Sequence, residues 1–183
     1  MKKVIMLSSV LLLSLGLVGC GSSSSSSSND NDSTTTQETK KSSKTEVFSK
    51  IYKVGEEANI NGVKVKINNI RYSSGDDAET PDQGNRYAIV NITITNNSDK
   101  NIDYNTLDFK FNIDGNSKDP EYVTLDGQNI DDLGSGTLDK GATLTKDLVG
   151  QVPVNETGKK VQLTYQPNSL DDNKLVHFDL NQQ

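Results

Sequence analysis

The chain has 183 residues, one cysteine, one histidine, no tryptophan, and 25 acidic against 19 basic side chains, for a net charge of −6. This acidic balance argues against a nucleic-acid partner, which needs clustered Lys and Arg to displace counterions from phosphates. A lone cysteine excludes an internal disulfide, a dithiol redox pair and a thiolate metal site, so the fold must hold by packing alone.

The chain opens on Met1-Lys2-Lys3, continues through an apolar stretch over residues 4–18, and reaches Leu17-Val18-Gly19-Cys20 just before a serine tract. Positive charge, an apolar run and small residues at the cut are the parts of an export signal. At about 15 residues the run falls short of the roughly 20 that cross a bilayer. A membrane-spanning anchor and a plainly cleaved secretory signal are the alternatives. The segment resembles the lipobox of bacterial lipoproteins, whose cysteine receives a diacylglyceryl group before a peptidase cuts in front of it, here between Gly19 and Cys20. The resemblance implies a signal peptide over residues 1–19 and lipidation (palmitate-type acyl chains) at Cys20, with Leu17, Val18 and Gly19 as the lipobox. It places the remainder at the bacterial cell membrane, on the extracytoplasmic face. Two acyl chains anchor stably, because each buried methylene contributes about 0.8 kcal/mol and one chain alone is marginal.

Cleavage would remove Lys2 and Lys3 and leave 17 basic against 25 acidic side chains, a net of −8. Such a chain would not lie flat on an anionic membrane surface. Residues 21–44 contain no apolar side chain, so they cannot bury enough surface to offset the entropy of ordering. Residues 20–45 are therefore expected to be the lipidated cysteine and a disordered Ser-rich tether, with a root-mean-square span on the order of 25 to 30 Å.

Apolar patterning begins at Val47-Phe48 and continues almost to Leu180, which assigns residues 46–183 to one domain of ordinary size. Its periodicity is that of strands. A short edge strand is expected near Tyr52 to Val54. Val63, Val65 and Ile67 alternate with lysines after the turn signal Asn61-Gly62. Ala88, Val90, Ile92 and Ile94 alternate with Asn91, Thr93 and Thr95, which places Asn91 and Thr93 on an outward face and accounts for the Asn91-Ile92-Thr93 glycosylation-like pattern without a function. Leu107, Phe109, Phe111 and Ile113 form a third run before Asp114-Gly115. Leu144, Leu148 and Val152 share a parity in a weaker strand, expected to bulge at Gly150. Val161, Leu163 and Tyr165 form another run, and Val176, Phe178 and Leu180 the last. About seven short strands with Gly, Asn and Asp turns and no long amphipathic helix predict an all-β, antiparallel β-sandwich.

Tyr52-Lys53-Val54-Gly55-Glu56, Gly62-Val63-Lys64-Val65 and the run from Tyr87 to Asn96 resemble a widespread bacterial domain of unknown function. The likeness extends through Asp108-Phe109, Leu138-Asp139-Lys140-Gly141 and Val152-Pro153 to Leu163, Tyr165 and Pro167. Its members are typically lipoproteins with an extracellular immunoglobulin-like sandwich, similar in fold to a secreted mycobacterial immunoprotective antigen. The resemblance implies that fold and carries no catalytic or ligand-binding residues.

The residues themselves offer little chemistry. His177 is the sole histidine, expected on an exposed strand position opposite Val176 and Phe178, and with Cys20 acylated no thiol nucleophile remains. Nucleophilic catalysis is thereby disfavoured, and the chain is expected not to be an enzyme. Asp76, Asp77, Glu79 and Asp82 form an acidic group in a polar loop, with further pairs at Asp131-Asp132 and Asp171-Asp172. Oxygen-rich loops can take Ca²⁺, which needs six to eight oxygen ligands, so these four are the candidate metal residues. No other cofactor is expected. Asp114-Gly115-Asn116-Ser117-Lys118-Asp119 fits a tight turn better than a metal loop. Paired carboxylates could hydrolyse glycosides across roughly 5 to 10 Å, but aromatics make up only 5% of the chain and offer little stacking surface for a sugar. Residues 73–83 and 125–136 are the long loops, where binding is usually carried. The expectation is a lipid-anchored, non-enzymatic surface module that contacts an unknown protein or envelope partner. A calcium- or solute-binding lipoprotein is the alternative, and an envelope hydrolase the third choice.

Overall fold

The structure, a computed structural model, describes residues 46–167 and 174–181. Leu17, Val18, Gly19, Cys20, the tether and the Asp171-Asp172 pair lie outside the described residues. A single helical turn, α1 (Glu46–Ser49), opens the domain. Among the described residues no helix is long and apolar enough to cross a membrane.

Eleven strands follow in the described residues, against the seven expected. β1 (Ile51–Tyr52) precedes β2 (Glu57–Ile60), which turns through Asn61 and Gly62 into the long β3 (Val63–Ser73). Both turn residues have positive φ, +54° and +92°. That is the mirror-image two-residue turn that Asn-Gly favours, because its twist matches the strands it joins. β4 (Asn85–Asn96) lies antiparallel to β3, and β5 (Ile102–Asn105) leads into a 3₁₀ turn over Thr106–Asp108. The Asn105 side chain accepts from the Leu107 amide at 2.8 Å, and Asp108 returns the favour to the Asn105 amide at 3.1 Å. This cap turns Leu107 outward, 55% exposed. The strand expected from Leu107 therefore starts only at β6 (Phe109–Ile113). β7 (Asn116–Lys118) closes a hairpin through Asp114-Gly115, as the turn signal predicts. β8 (Ser135–Leu138), β9 (Thr143–Pro153), β10 (Val161–Tyr165) and β11 (Val176–Asp179) complete the series.

One sheet has the order β2-β3-β4-β9 and the other β1-β11-β10-β6-β7, with β5 and β8 as a separate pair. Among these strands every pairing is antiparallel except β1 with β11. The chain crosses between sheets so that β4 meets β9 in one and β6 meets β10 in the other, the B–E and C–F pairings of an immunoglobulin-like sandwich. One core cluster joins them: Val65, Ile67, Val90, Ile92, Leu148 and Val152 from one sheet, and Phe109, Phe111, Leu163 and Phe178 from the other. The rings of Phe109 and Tyr165 stack with centroids 4.6 Å apart.

The expected bulge at Gly150 is not there. β9 keeps continuous register against β4 from Thr143 to Pro153, with Gly150 opposite Ala88. A Cβ at Gly150 would run into the Phe111 ring, so the glycine serves close packing between the sheets. The irregularity sits instead in β3, between Ile67 and Asn69. The extra residue, Asn68, moves the inward parity from Val63, Val65 and Ile67 to Ile70 and Tyr72.

Candidate functional site

A sandwich sheet with one solvated face should alternate apolar and polar residues, yet Tyr87, Ala88, Ile89 and Val90 of β4 are all buried. The reason is residues 119–134, which fold across the outer face of the β2-β3-β4-β9 sheet. Leu125 is buried there with Tyr87, Ile89 and Val149, and Val123 and Ile130 pack against them. Glu121 pairs with Val149 in an isolated bridge.

Polar ties fix this layer. The buried Asp147 carboxylate accepts from the Asn91 side chain at 2.7 Å, the Asp131 amide at 3.1 Å and the Arg71 guanidinium at 3.3 Å. Arg71 donates as well to Gln128 Oε1 and to the Asn129 carbonyl. Asn68, the bulge residue, donates to Asn91 and Thr93, each at 2.8 Å. Asn91 and Thr93 are therefore on the outward face as expected, within a side-chain ladder across the sheet.

The two loops that stand out in the sequence meet here. Asp76 accepts three backbone amides, those of Asp126 at 2.7 Å, Glu79 at 2.8 Å and Ala78 at 2.9 Å. Gly75 precedes it at φ +85°, where a side chain would collide with the Glu79 carbonyl and the Pro81 ring. Gln151 then links the loops from below, accepting from the Asp82 amide at 2.7 Å and donating to Glu121 at 3.2 Å. Neither loop is a slack connection.

The three amides hold the Asp76 carboxyl below its ordinary range, the Asp126 amide foremost. A depressed carboxylate contributes stability above its unfolded pKa, near 4, and loses it as pH falls through the folded value. Amide exchange at Asp126, Glu79 and Ala78, corrected for intrinsic rates, should therefore quicken as pH falls below about 4. Asp76→Ala should show the faster exchange already at neutral pH.

Residues 73–83 and 119–134 together carry nine Asp and Glu and no Lys or Arg. Three of the nine are met from neighbouring elements: Asp119 by Lys110, Asp131 by Lys146 and Asp82 by Lys118. Burial raises the Tyr87 hydroxyl above its usual pKa, and the fields of Glu121, Glu79, Asp82 and Asp76 add to it. Tyr122, in the second of these loops, is 64% exposed.

The expected metal residues Asp76, Asp77, Glu79 and Asp82 are not assembled as a ligand set. Asp76 spends its oxygens on backbone amides, and among the described residues no three His, Cys, Asp or Glu side chains are placed to hold a metal ion. His177 lies opposite Val176 and Phe178 in parity, but it is half-buried rather than exposed. It sits between Ile51 and Thr164 in register, its Nδ1 has no hydrogen-bond partner among the described residues, and burial followed by the charge of Lys160 lowers its pKa.

Among curated proteins no relative matches the chain. Two solved structures share its fold, and a third shows a weaker likeness. The ycdA protein of Bacillus subtilis strain 168, described as a candidate lipoprotein, is 19% identical over 68% of this chain, with TM-score 0.55; the match spans only 38% of that protein's length. The yjhA protein of Bacillus subtilis is 21% identical over 72% of this chain and 100% of its own, with TM-score 0.53. An uncharacterized beta-sandwich protein from Clostridium difficile 630 is 17% identical over 72% of this chain and 95% of its own, with TM-score 0.43. The family model for a domain of unknown function, DUF4352, matches residues 52–175, which run from the end of β1 to the threshold of β11, and the chain accordingly belongs to the DUF4352 family.

Proposed function

We propose that this protein is a lipid-anchored, extracytoplasmic surface protein and that its sandwich is a non-enzymatic binding module. Residues 73–83 and 119–134 form its contact face, for a partner of basic character. The observation that carries the proposal is nine acidic side chains without a single basic one on two loops that Asp76 ties to each other and Asp147 ties to the sheet. A fixed field of one sign steers and selects oppositely charged partners, and an exposed tyrosine on a rigid support is the type of residue that anchors such contacts. The lipobox at Cys20 supports the address, as does the description of the ycdA protein as a candidate lipoprotein. The proposal includes a likeness in fold between this family and the mycobacterial immunoprotective antigen.

A photo-crosslinking residue placed at Tyr122 tests the contact face on intact cells, with the same residue at Asn116 of β7 as control. The expected result is an adduct specific to Tyr122 that fades in 0.5 M salt and disappears when Asp77→Lys and Asp126→Lys are combined. Identical adducts from both positions, or an adduct indifferent to the charge reversals, would contradict the proposal.

A further inference from the structure

The sandwich joins the chain before it through α1 and β1, and β1 has the fewest register pairs of the described strands. Ile51 with His177 and Tyr52 with Phe178 tie it to β11, and no described strand lies on its other side. Beneath this edge the Tyr52 and Phe178 rings meet with centroids 5.6 Å apart, and Val47 of α1 joins the core. Edge elements near a domain's end, with few ladder bonds, are the first to open locally.

His177 lies at the junction. On the outer face of its sheet it has Ile51 on one side and the buried Thr164 on the other. Its Nδ1 is buried and has no hydrogen-bond partner among the described residues. A neutral imidazole with its proton on Nε2 leaves that nitrogen a bare acceptor, whereas the imidazolium carries a proton on both nitrogens. The charged ring would therefore bury a donor with nothing to receive it.

The surrounding charges do not offset this. Asp179 is the only carboxylate on β1, β11, β10 or β6, and its Oδ1 already accepts the Asn181 amide. Lys110 of β6 lies beyond Thr164 in register and is paired with Asp119. Lys50 before β1 is paired with Glu56, while Lys53 after β1 and Lys174 before β11 add positive charge. Glu46 on α1 and Asp108 at the start of β6 are the remaining acids on adjoining elements. Burial first, and the charge of Lys160 second, hold the ring below its ordinary pKa.

We propose that His177 makes the attachment of α1 and β1 acid-sensitive: when the ring is protonated, β1 leaves β11 and lengthens the connection that precedes the sandwich. Departure of Ile51 removes one flank of the ring and lets water reach Nδ1. The ring is neutral in both forms well above its unfolded pKa, about 6.5. As pH falls from there toward the folded value, the open form binds the proton first and the closed form loses stability. Asp108 works in the opposite sense, because burial raises its carboxyl and acid relieves the strain of its charge. The inference stands apart from the acidic loop face.

The test is amide exchange on the full chain in detergent, corrected for intrinsic rates, between about pH 7.5 and about pH 5, beside an NMR titration of the ring. Exchange over residues 50–52 should rise at least about threefold along the ring's titration, while β4 stays unchanged. His177→Gln should remove the rise. Lys160→Gln should move the ring titration and the exchange midpoint upward together. Should His177→Gln misfold, the unaltered chain and Lys160→Gln decide. A ring that titrates at or above about 6.5, exchange that stays flat across the titration, or an equal rise in His177→Gln would overturn the inference.

Discussion

Phe111→Ala should cost about 4 kcal/mol of folding stability, the centre of the range for deleting a buried aromatic ring. Phe111 is 1% exposed in the cluster that joins the two sheets, and its ring occupies the space that a side chain at Gly150 would need. Gly150 faces Ala88 across β4 and β9, so two small residues side by side leave the space that the ring fills. Removing the ring leaves a void on a floor without side chains able to relax into it. Against a typical total of roughly 5 to 15 kcal/mol, the loss should appear in urea melts as a lower midpoint at unchanged slope. The reciprocal change, Gly150→Ala, overpacks the same spot at about 1 to 3 kcal/mol. Combined with Phe111→Leu it should cost less than the two single changes summed, because neighbours in contact couple.

Asp147→Ala should cost about 3 kcal/mol, through a different mechanism. Its carboxylate is the shared acceptor of the Asn91 side chain, the Asp131 amide and Arg71. Alanine would strand a half-buried amide donor, a loop amide and one side of an ion pair. Hydrogen bonds to charged groups contribute roughly 1.5 to 3 kcal/mol each, and breaking a buried pair costs about 3 to 5 kcal/mol. Arg71 is partly exposed, which places the expectation at the lower end of that range. The effect should be regional as well as global. Amide exchange over residues 119–134 should rise more than in β10 and β11, and the Tyr122 crosslink should weaken along with it.

Strands whose side chains alternate strictly were legible from the residues, because burial on one face imposes period two. β6, β10 and β11 alternate apolar with polar side chains throughout, and β3, β4 and β9 do so over part of their length. β7 and β8 do not: Asn116–Lys118 is exposed throughout and Ser135–Leu138 buries only its last residue, so their pairing rests on backbone bonds that leave no apolar trace. β2 and β5 are four residues each, too short for a period to stand out. A glycine within a strand pattern points to a bulge at Gly150, where the structure has continuous register instead. Its real position is betrayed by apolar parity, which passes from Ile67 to Ile70 across two asparagines. The covered outer face also leaves a mark, the unbroken run Tyr87-Ala88-Ile89-Val90, since a strand buried on both sides loses its alternation. The junction of the two acidic loops was not legible. Asp76 and Asp126 are fifty residues apart, and only the fold shows that the first carboxylate receives the second residue's amide.

Attachment through Cys20 is the claim on which the surface role rests, and growth on an alkyne-bearing fatty acid, followed by mass analysis of the labelled protein, tests it directly. The expected result is a chain that begins at Cys20 with the acyl label on its N-terminal peptide, and a Cys20→Ala variant that carries none and leaves the membrane fraction. An unlabelled chain still bearing residues 1–19, or a Cys20→Ala variant that stays membrane-bound and labelled, would contradict it.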